Sequence, residues 1–318
     1  PDGTAVSFTT EGGAIDPSCV TSNGSCNVIW RSQQPRPEGH VLGDVNNLNA
    51  VPELINTMGQ KYGGRATIIA TAIGEESFPD LNGNGRFDAS EYTAFLGTNI
   101  SGEPYDLTEA FVDHNEDGVY NPSQGGDVNN SGALEEFMDF DNSGNFTLAD
   151  TQYNGVLCAL DGNVNCSSQK SLNVRASLTL VMSGSTAYFV TTSTSDGVTD
   201  PYDHDNDILT DPIANPFNDP SDNTIYIEGE SSGSASVIIA DLHNQPMPAG
   251  SIIEFRAGVG SIVGPSSFVW PNDNHNGGRS FGVTVKGEED PKGGPLVIEV
   301  KTPNGASTTY SGINIVIQ

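Results

Sequence analysis

Four times between Asp80 and Asp150 the chain alternates oxygen-bearing side chains up to a glycine, then places an aromatic or aliphatic residue two positions beyond it. Asp, Asn and Gly at this density favour turns, so the stretch must fold as loops around whatever its oxygens can hold. In the first copy Asp80, Asn82, Asn84, Asp88 and Glu91 occupy loop positions 1, 3, 5, 9 and 12, with Gly85 at position 6. Calcium takes six to eight hard oxygens, a glycine permits the sharp turn, and the acid at position 12 can bind through both oxygens. The carbonyl of Arg86 fills position 7, and Phe87 anchors the loop.

This spacing is a complete match to an EF-hand loop. The second loop runs through Asp113, Asn115, Asp117, Gly118, Val119 and Asn121, but its position 12 is the neutral Gln124. The third has Asp127, Asn129, Ser131, Gly132, Ala133 and Glu135, with Met138 in place of the closing acid. The fourth has Asp139, Asp141, Ser143, Gly144, Asn145 and Thr147, closed by Asp150. The last two loops begin 12 residues apart, which leaves no room for an intervening helix and excludes a calmodulin-like sensor. Loops stitched together by several Ca²⁺ ions are expected instead.

Charge supports this expectation. From Glu75 to Asp150 there are 17 Asp and Glu against one Arg. Such a segment repels itself and should stay open without cations. Over the whole chain 12 Lys and Arg face 41 Asp and Glu, a net charge of −29, which argues against nucleic acid or an anionic membrane as partner. No apolar run is long enough to span a bilayer, so membrane insertion within this chain is not expected.

Cys19 and Cys26 form one short-range pair and Cys158 and Cys166 another, at spacings that do not suit zinc. Two local disulfides, and with them an oxidising compartment, are the simpler account. Val/Ile/Thr-rich runs between turn signals read as all-β: Thr4 to Thr10, Asn27 to Trp30, Ala66 to Ile73, Ser171 to Met182, and six more between Thr224 and Ile317. Val51 to Tyr62 has the spacing of a short helix. An internal repeat aligns Pro248 to Phe255 with Pro1 to Phe8, and Gly260 with Gly13. Phe268-Val269-Trp270 then answers Val28-Ile29-Trp30, which makes both tryptophans core residues of equivalent strands. The first copy begins where the second is already at its third strand, and its opening strands are expected either from upstream residues of the same chain or from a neighbouring subunit.

The Pro1 to Gly13 pattern, the Asp241 to Gly250 lead-in and the Ala66 to Ala72 strand resemble bacterial Ig-like domains of the invasin/intimin type. The resemblance implies tandem Ig-like β-sandwich modules of an extracellular bacterial surface protein, with a calcium-loop insertion at residues 75–155 of the first module. The boundaries expected are 1–194 for the first module, 195–223 for an acidic linker and 224–318 for the second. In the linker Asp203, Asp205 and Asp207 are alternating carboxylates that could hold a stiffening ion, as in cadherin joints.

The function expected is non-catalytic: a calcium-stabilised adhesin or fibre segment. Its partners are other Ig-like modules or subunits, through strand complementation into a filament, and a surface receptor or glycan. The alternative is a carbohydrate-binding or accessory module of a secreted hydrolase. Gly229-Glu230-Ser231-Ser232-Gly233 matches a nucleophile elbow, but a β-prone run follows where that motif needs a helix.

Overall fold

The computed structural model describes residues 1–37, 63–114, 116–120, 135–159, 165–194 and 223–318. It is nearly all β, with several antiparallel sheets. The helix expected over Val51 to Tyr62 lies outside the described residues. Two compact units emerge, one from Pro1–Pro37 with Arg65–Leu180 and the other from Val181–Gln318.

The first unit carries β1 (Ala5–Thr10), β2 (Ala14–Ile15), β3 (Ser18–Val20), β4 (Trp30–Arg31), β5 (Arg65–Gly74), one helical turn α1 (Tyr92–Phe95) and β6 (Leu172–Val181). Its main sheet has the order β3-β1-β5-β6, and β2 pairs with β4 apart from it. On β5 Ala66 and Ile69, which face opposite sides of the strand, are both buried, and the β-branched run explains why this stretch is extended.

The second unit has β7 (Tyr188–Thr194), β8 (Thr224–Ile227), β9 (Ser232–Ala240), β10 (Ile252–Ala257), β11 (Ser261–Val263), β12 (Ser267–Val269), β13 (Arg279–Lys286), β14 (Lys292–Lys301) and β15 (Ser307–Ile317). A five-stranded sheet β12-β10-β14-β15-β8 and a four-stranded sheet β11-β13-β9-β7 supply its core. Strict alternation does the work: Val237 and Ile239 from β9, Phe255 from β10 and Ile298 from β14 point inward with at most 2 % exposure. Each such side chain contributes about 1.5–3 kcal/mol on burial. β9 follows directly on Gly229 to Ser231, so the elbow-like motif leads into a strand and not a helix.

β7 pairs with β9, so Tyr188–Thr194 belongs to the second unit, whereas a boundary at 194 puts it in the first. The acidic residues 195–222 therefore connect two strands of one unit. Asp203, Asp205 and Asp207 lie outside the described residues.

Strand pairing reproduces the internal repeat and corrects its second half. β1 between β3 and β5 matches β10 between β12 and β14. Gly13 and Gly260 both sit at positive φ, +74° and +70°, at the entry to β2 and β11. The backbone amide of Gly3 donates to Thr21 O and that of Thr21 to Thr4 O; Gly250 donates to Trp270 O and Trp270 to Ser251 O. Thr21, not Trp30, is therefore the counterpart of Trp270. Trp30 on β4 pairs with Ile15 of β2 and is half-buried, its Nε1 donating to Gly12 O at 2.9 Å, while Trp270 is 1 % exposed. The two tryptophans share a hydrophobic triplet and nothing of its position. Among the described residues no strand takes the place beside β4 that β9 takes beside β13.

Both cysteine pairs are disulfides, Cys19–Cys26 and Cys158–Cys166, and no free cysteine remains. Such bonds fit a protein outside the reducing cytoplasm. No helix among the described residues is long and apolar enough to cross a membrane.

Candidate metal centre

The acidic array leaves the first sheet after Gly74 and returns to it at β6. It does hold apolar residues together, contrary to what its charge suggests. Phe87, Phe95 and Tyr153 are buried in one cluster, with Phe78 edge-on to Phe87 and Tyr153 at 5.7 and 5.2 Å. Tyr120 and Phe146, at position 8 of two different loops, stack with ring centroids 3.9 Å apart. Ala110, Val112 and Met138 pack on Ile69 of β5.

Each described loop is shaped by its leading aspartate. The Asp80 carboxylate accepts the amides of Asn84 at 3.1 Å and Gly85 at 2.8 Å. Asp113 accepts those of Asp117 and Gly118, and Asp139 those of Ser143 and Gly144. The three glycines have φ of +71°, +77° and +76° with open space where a Cβ would stand, so backbone conformation alone requires them.

The acid at the end of each loop separates expectation from structure. In the first loop Glu91 is fully buried. Its Oε1 accepts the amide of Leu81, the residue after Asp80, at 2.9 Å, and its Oε2 that of Asp88 at 3.2 Å. The same pattern recurs in the Asp139 loop with a different partner. There Glu109 accepts the amide of Phe140 at 2.7 Å and that of Thr147 at 2.9 Å, while Asp150 was expected to close the loop. In the Asp113 loop the amide of His114 donates to Glu135, 3.1 Å away, where Gln124 was expected. Glu109 and Glu135 are 8 % and 4 % exposed.

Glu109, Asp139 and Asp141 bring one carboxylate oxygen each within 4.8 Å of one another, and this cluster could hold a metal ion. Its donors are all carboxylate oxygens, a type that suits hard cations better than soft ones. The Ser143 hydroxyl and amide and the Thr147 hydroxyl keep Asp141 below the ordinary carboxylate range. In the first loop the Ser90 hydroxyl and amide do the same for Asp88. Burial raises Asp113, and the amides of Gly118 and Asp117 offset it in part. The side-chain nitrogens of Asn82 and Asn84 turn toward Asp88 at 2.7 and 3.1 Å. Rotation of these two amides presents their oxygens instead.

Of the other expected ligands, the carbonyls of Arg86 and Val119 lie in their turns, and Ser143 and Asn145 bond one another across the Asp139 loop. Asp150 accepts the amide of Gln152 at 2.8 Å. Asn115, Asn121, Gln124, Asp127, Asn129, Ser131 and Ala133 lie outside the described residues. Sequence reading passed over Glu109 because it stands 31 residues ahead of Phe140, outside any contiguous motif. The one signal in its favour was an acid in an otherwise apolar run, Glu109-Ala110-Phe111-Val112.

No family model and no curated protein matches the chain.

Proposed function

We propose that this is a non-catalytic, extracellular, calcium-stabilised surface protein built from Ig-like modules, serving as an adhesin or fibre segment. The observation that carries the reading is the burial of Glu91, Glu109 and Glu135, each held by loop amides beside an Asp-lined turn, within a segment of 17 acids and one Arg. Buried carboxylates at this density are stable when a divalent ion neutralises them. Each Ca²⁺ cancels several clustered charges, and affinities in the range of roughly 10⁻⁴ to 10⁻³ M typical of extracellular modules would keep the sites filled outside cells. Other modules or subunits, joined by strand addition to an open sheet edge, and a surface receptor or glycan are the partners this role calls for.

The carbohydrate-binding alternative requires a platform of exposed aromatic rings. The exposed large apolar side chains among the described residues are Val, Ile and Leu, which favours the structural role. Calorimetric unfolding with 2 mM-scale Ca²⁺, and again after EDTA, tests the proposal. Calcium should raise the transition of the first unit and leave that of the second unchanged; identical traces would sink the reading.

A further inference from the structure

We propose that the first unit is the acceptor for a β-strand of another polypeptide, which lies beside β4 and covers a face of the main sheet that is only half-buried. The inference rests on the strand-addition part of the reading above and is independent of calcium.

The first indication is that burial in the two units is inverted. Phe8 pairs with Ala70 as Phe255 pairs with Ile298, so Ile68, Ala70 and Ala72 on β5 stand where Leu296, Ile298 and Val300 stand on β14. In the second unit those three residues, with Ile253 and Phe255, are at most 2 % exposed and form core between its two sheets. In the first unit Val6 and Phe8 on β1 and Ile68, Ala70 and Ala72 on β5 are only half-buried. The alternate residues Thr67, Ile69 and Thr71 are the buried ones, and Ala110, Val112 and Met138 of the array pack on Ile69. The array thus covers the face that is outermost in the second unit.

The same division holds on β6. The Arg175 guanidinium reaches the array and donates to the carbonyls of Thr108 and Glu109, so alternation turns Val174, Ala176 and Leu178 to the other side. There Val174 lies against Gly74, where an added Cβ would meet its Cγ2 at 2.9 Å. Ala176 and Leu178 are exposed, Leu178 by 57 %.

The second indication says what fits this face. In the second unit β9 pairs with β13 and turns Ala235, Val237 and Ile239 into the core. Among the described residues β4, the counterpart of β13, pairs with β2 alone, so its other edge is open. A strand added there continues the β2-β4 pair into a sheet that faces β1, β5 and β6. Charge agrees with this occupant. In a chain of 41 acids, no Asp, Glu, Lys or Arg stands among the half-open residues of β1, β5 and β6, so the incoming strand must present an uncharged side, small and aliphatic like that of β9. β8, just ahead of β9, pairs with β15, whose counterpart β6 is likewise the edge of its sheet. A strand–turn–strand segment with the pattern of residues 224–240 therefore closes both edges together.

The test adds a labelled synthetic peptide with the sequence of residues 224–240 to the full chain and follows fluorescence polarisation. Wild type should bind it saturably. Leu178→Glu should weaken binding roughly tenfold or more, while Val269→Glu, at a comparably exposed position of the second unit, should leave it unchanged. A peptide carrying Val237→Asp and Ile239→Asp should not bind. Circular dichroism verifies that both protein variants are folded. Absence of saturable binding, or binding indifferent to Leu178→Glu, overturns the proposal. Binding seen only after deletion of residues 38–62 makes that segment the occupant, and self-association abolished by Leu178→Glu makes a second copy the occupant; either result also overturns it. Calcium stabilisation of the same chain is measured separately. If it persists without peptide binding, the acceptor role fails and the calcium reading stands; peptide binding with no calcium effect gives the reverse.

Discussion

Glu11 at the end of the first sheet and His114 inside the acidic array form a buried ion pair, Glu11 Oε1 to His114 Nδ1, with side chains 3 % and 10 % exposed. The other oxygen of Glu11 accepts the amide of Thr67 on β5 at 2.5 Å. The pair thus pins the Asp113 loop to the strand that precedes the array. Burial lowers the His114 imidazole, but the hydrogen bond and charge of Glu11 overcome it and leave it above its ordinary 6.5.

His114→Ala should therefore destabilise the first unit by about 3 kcal/mol, because it strands a buried carboxylate. Glu11→Gln in the same chain should restore part of the loss, as the stranded charge is gone. Urea unfolding of the two single variants and the double variant measures the coupling. Additive losses would mean that the pair is incidental.

Glu109→Gln should weaken calcium binding at the Asp139 loop by roughly tenfold or more, since a charged carboxylate of the cluster becomes a neutral amide. Asp150→Asn should leave that loop's affinity near wild type. Titration calorimetry on both variants decides whether the distant Glu109 or the contiguous Asp150 closes this loop.

Metal-free protein should lose stability as the pH rises. Burial pushes Glu76 up from 4.5 to about 7 and Asp106 from 3.8 to about 6, with the Asp150 charge adding to both. The folded form then holds protons that the unfolded chain has already released, so stability falls between about pH 4 and 7 and levels off above. The Glu76 shift alone corresponds to about 3 kcal/mol. His114, raised in the fold, adds a loss in the same direction as the pH passes above 6.5. Melting in EDTA across this range should show the decline, and excess Ca²⁺ should flatten it. A rise in stability toward pH 7 without metal would contradict the assignment of buried, uncompensated acids.

Trp270→Ala should cost the second unit about 4 kcal/mol, the amount typical of a fully buried aromatic. Trp30→Ala should cost the first unit markedly less, because Trp30 is only half-buried. Equal losses, read from the two unfolding transitions, would restore the equivalence that the strand pairing removes.

The long strands were legible because their alternation or β-branched runs state both conformation and inward face: Ala66 to Ile73 is β5 and Ser171 to Met182 is β6, each to within a residue or two. The turns around Gly85, Gly118 and Gly144 were legible for a like reason, since only glycine is comfortable at their φ. What sequence could not reveal is which acid reaches which loop. Glu109, Glu135 and Glu76 meet their amide partners only after the array has folded, and local spacing carries no trace of those meetings. The tryptophan register failed differently: a shared Val/Ile/Phe-rich triplet aligned by composition, while backbone bonds show Thr21 in the place of Trp270. The membership of β7 was hidden because only its pairing with β9 reveals it.

In the second unit β14 and β15 are neighbours joined by the short turn Thr302 to Ala306, closed by the amide of Thr302 on Ala306 O at 2.9 Å. Their counterparts β5 and β6 are also neighbours, yet the whole acidic array is threaded between them. Both ends of the insert thus leave from adjacent strands about 4.8 Å apart, the separation a short turn must span. Lengthening or shortening the insert shifts no residue of the sheet out of register. The insertion point therefore tolerates a long excursion of chain while the pairing of the two strands beneath it stays the same.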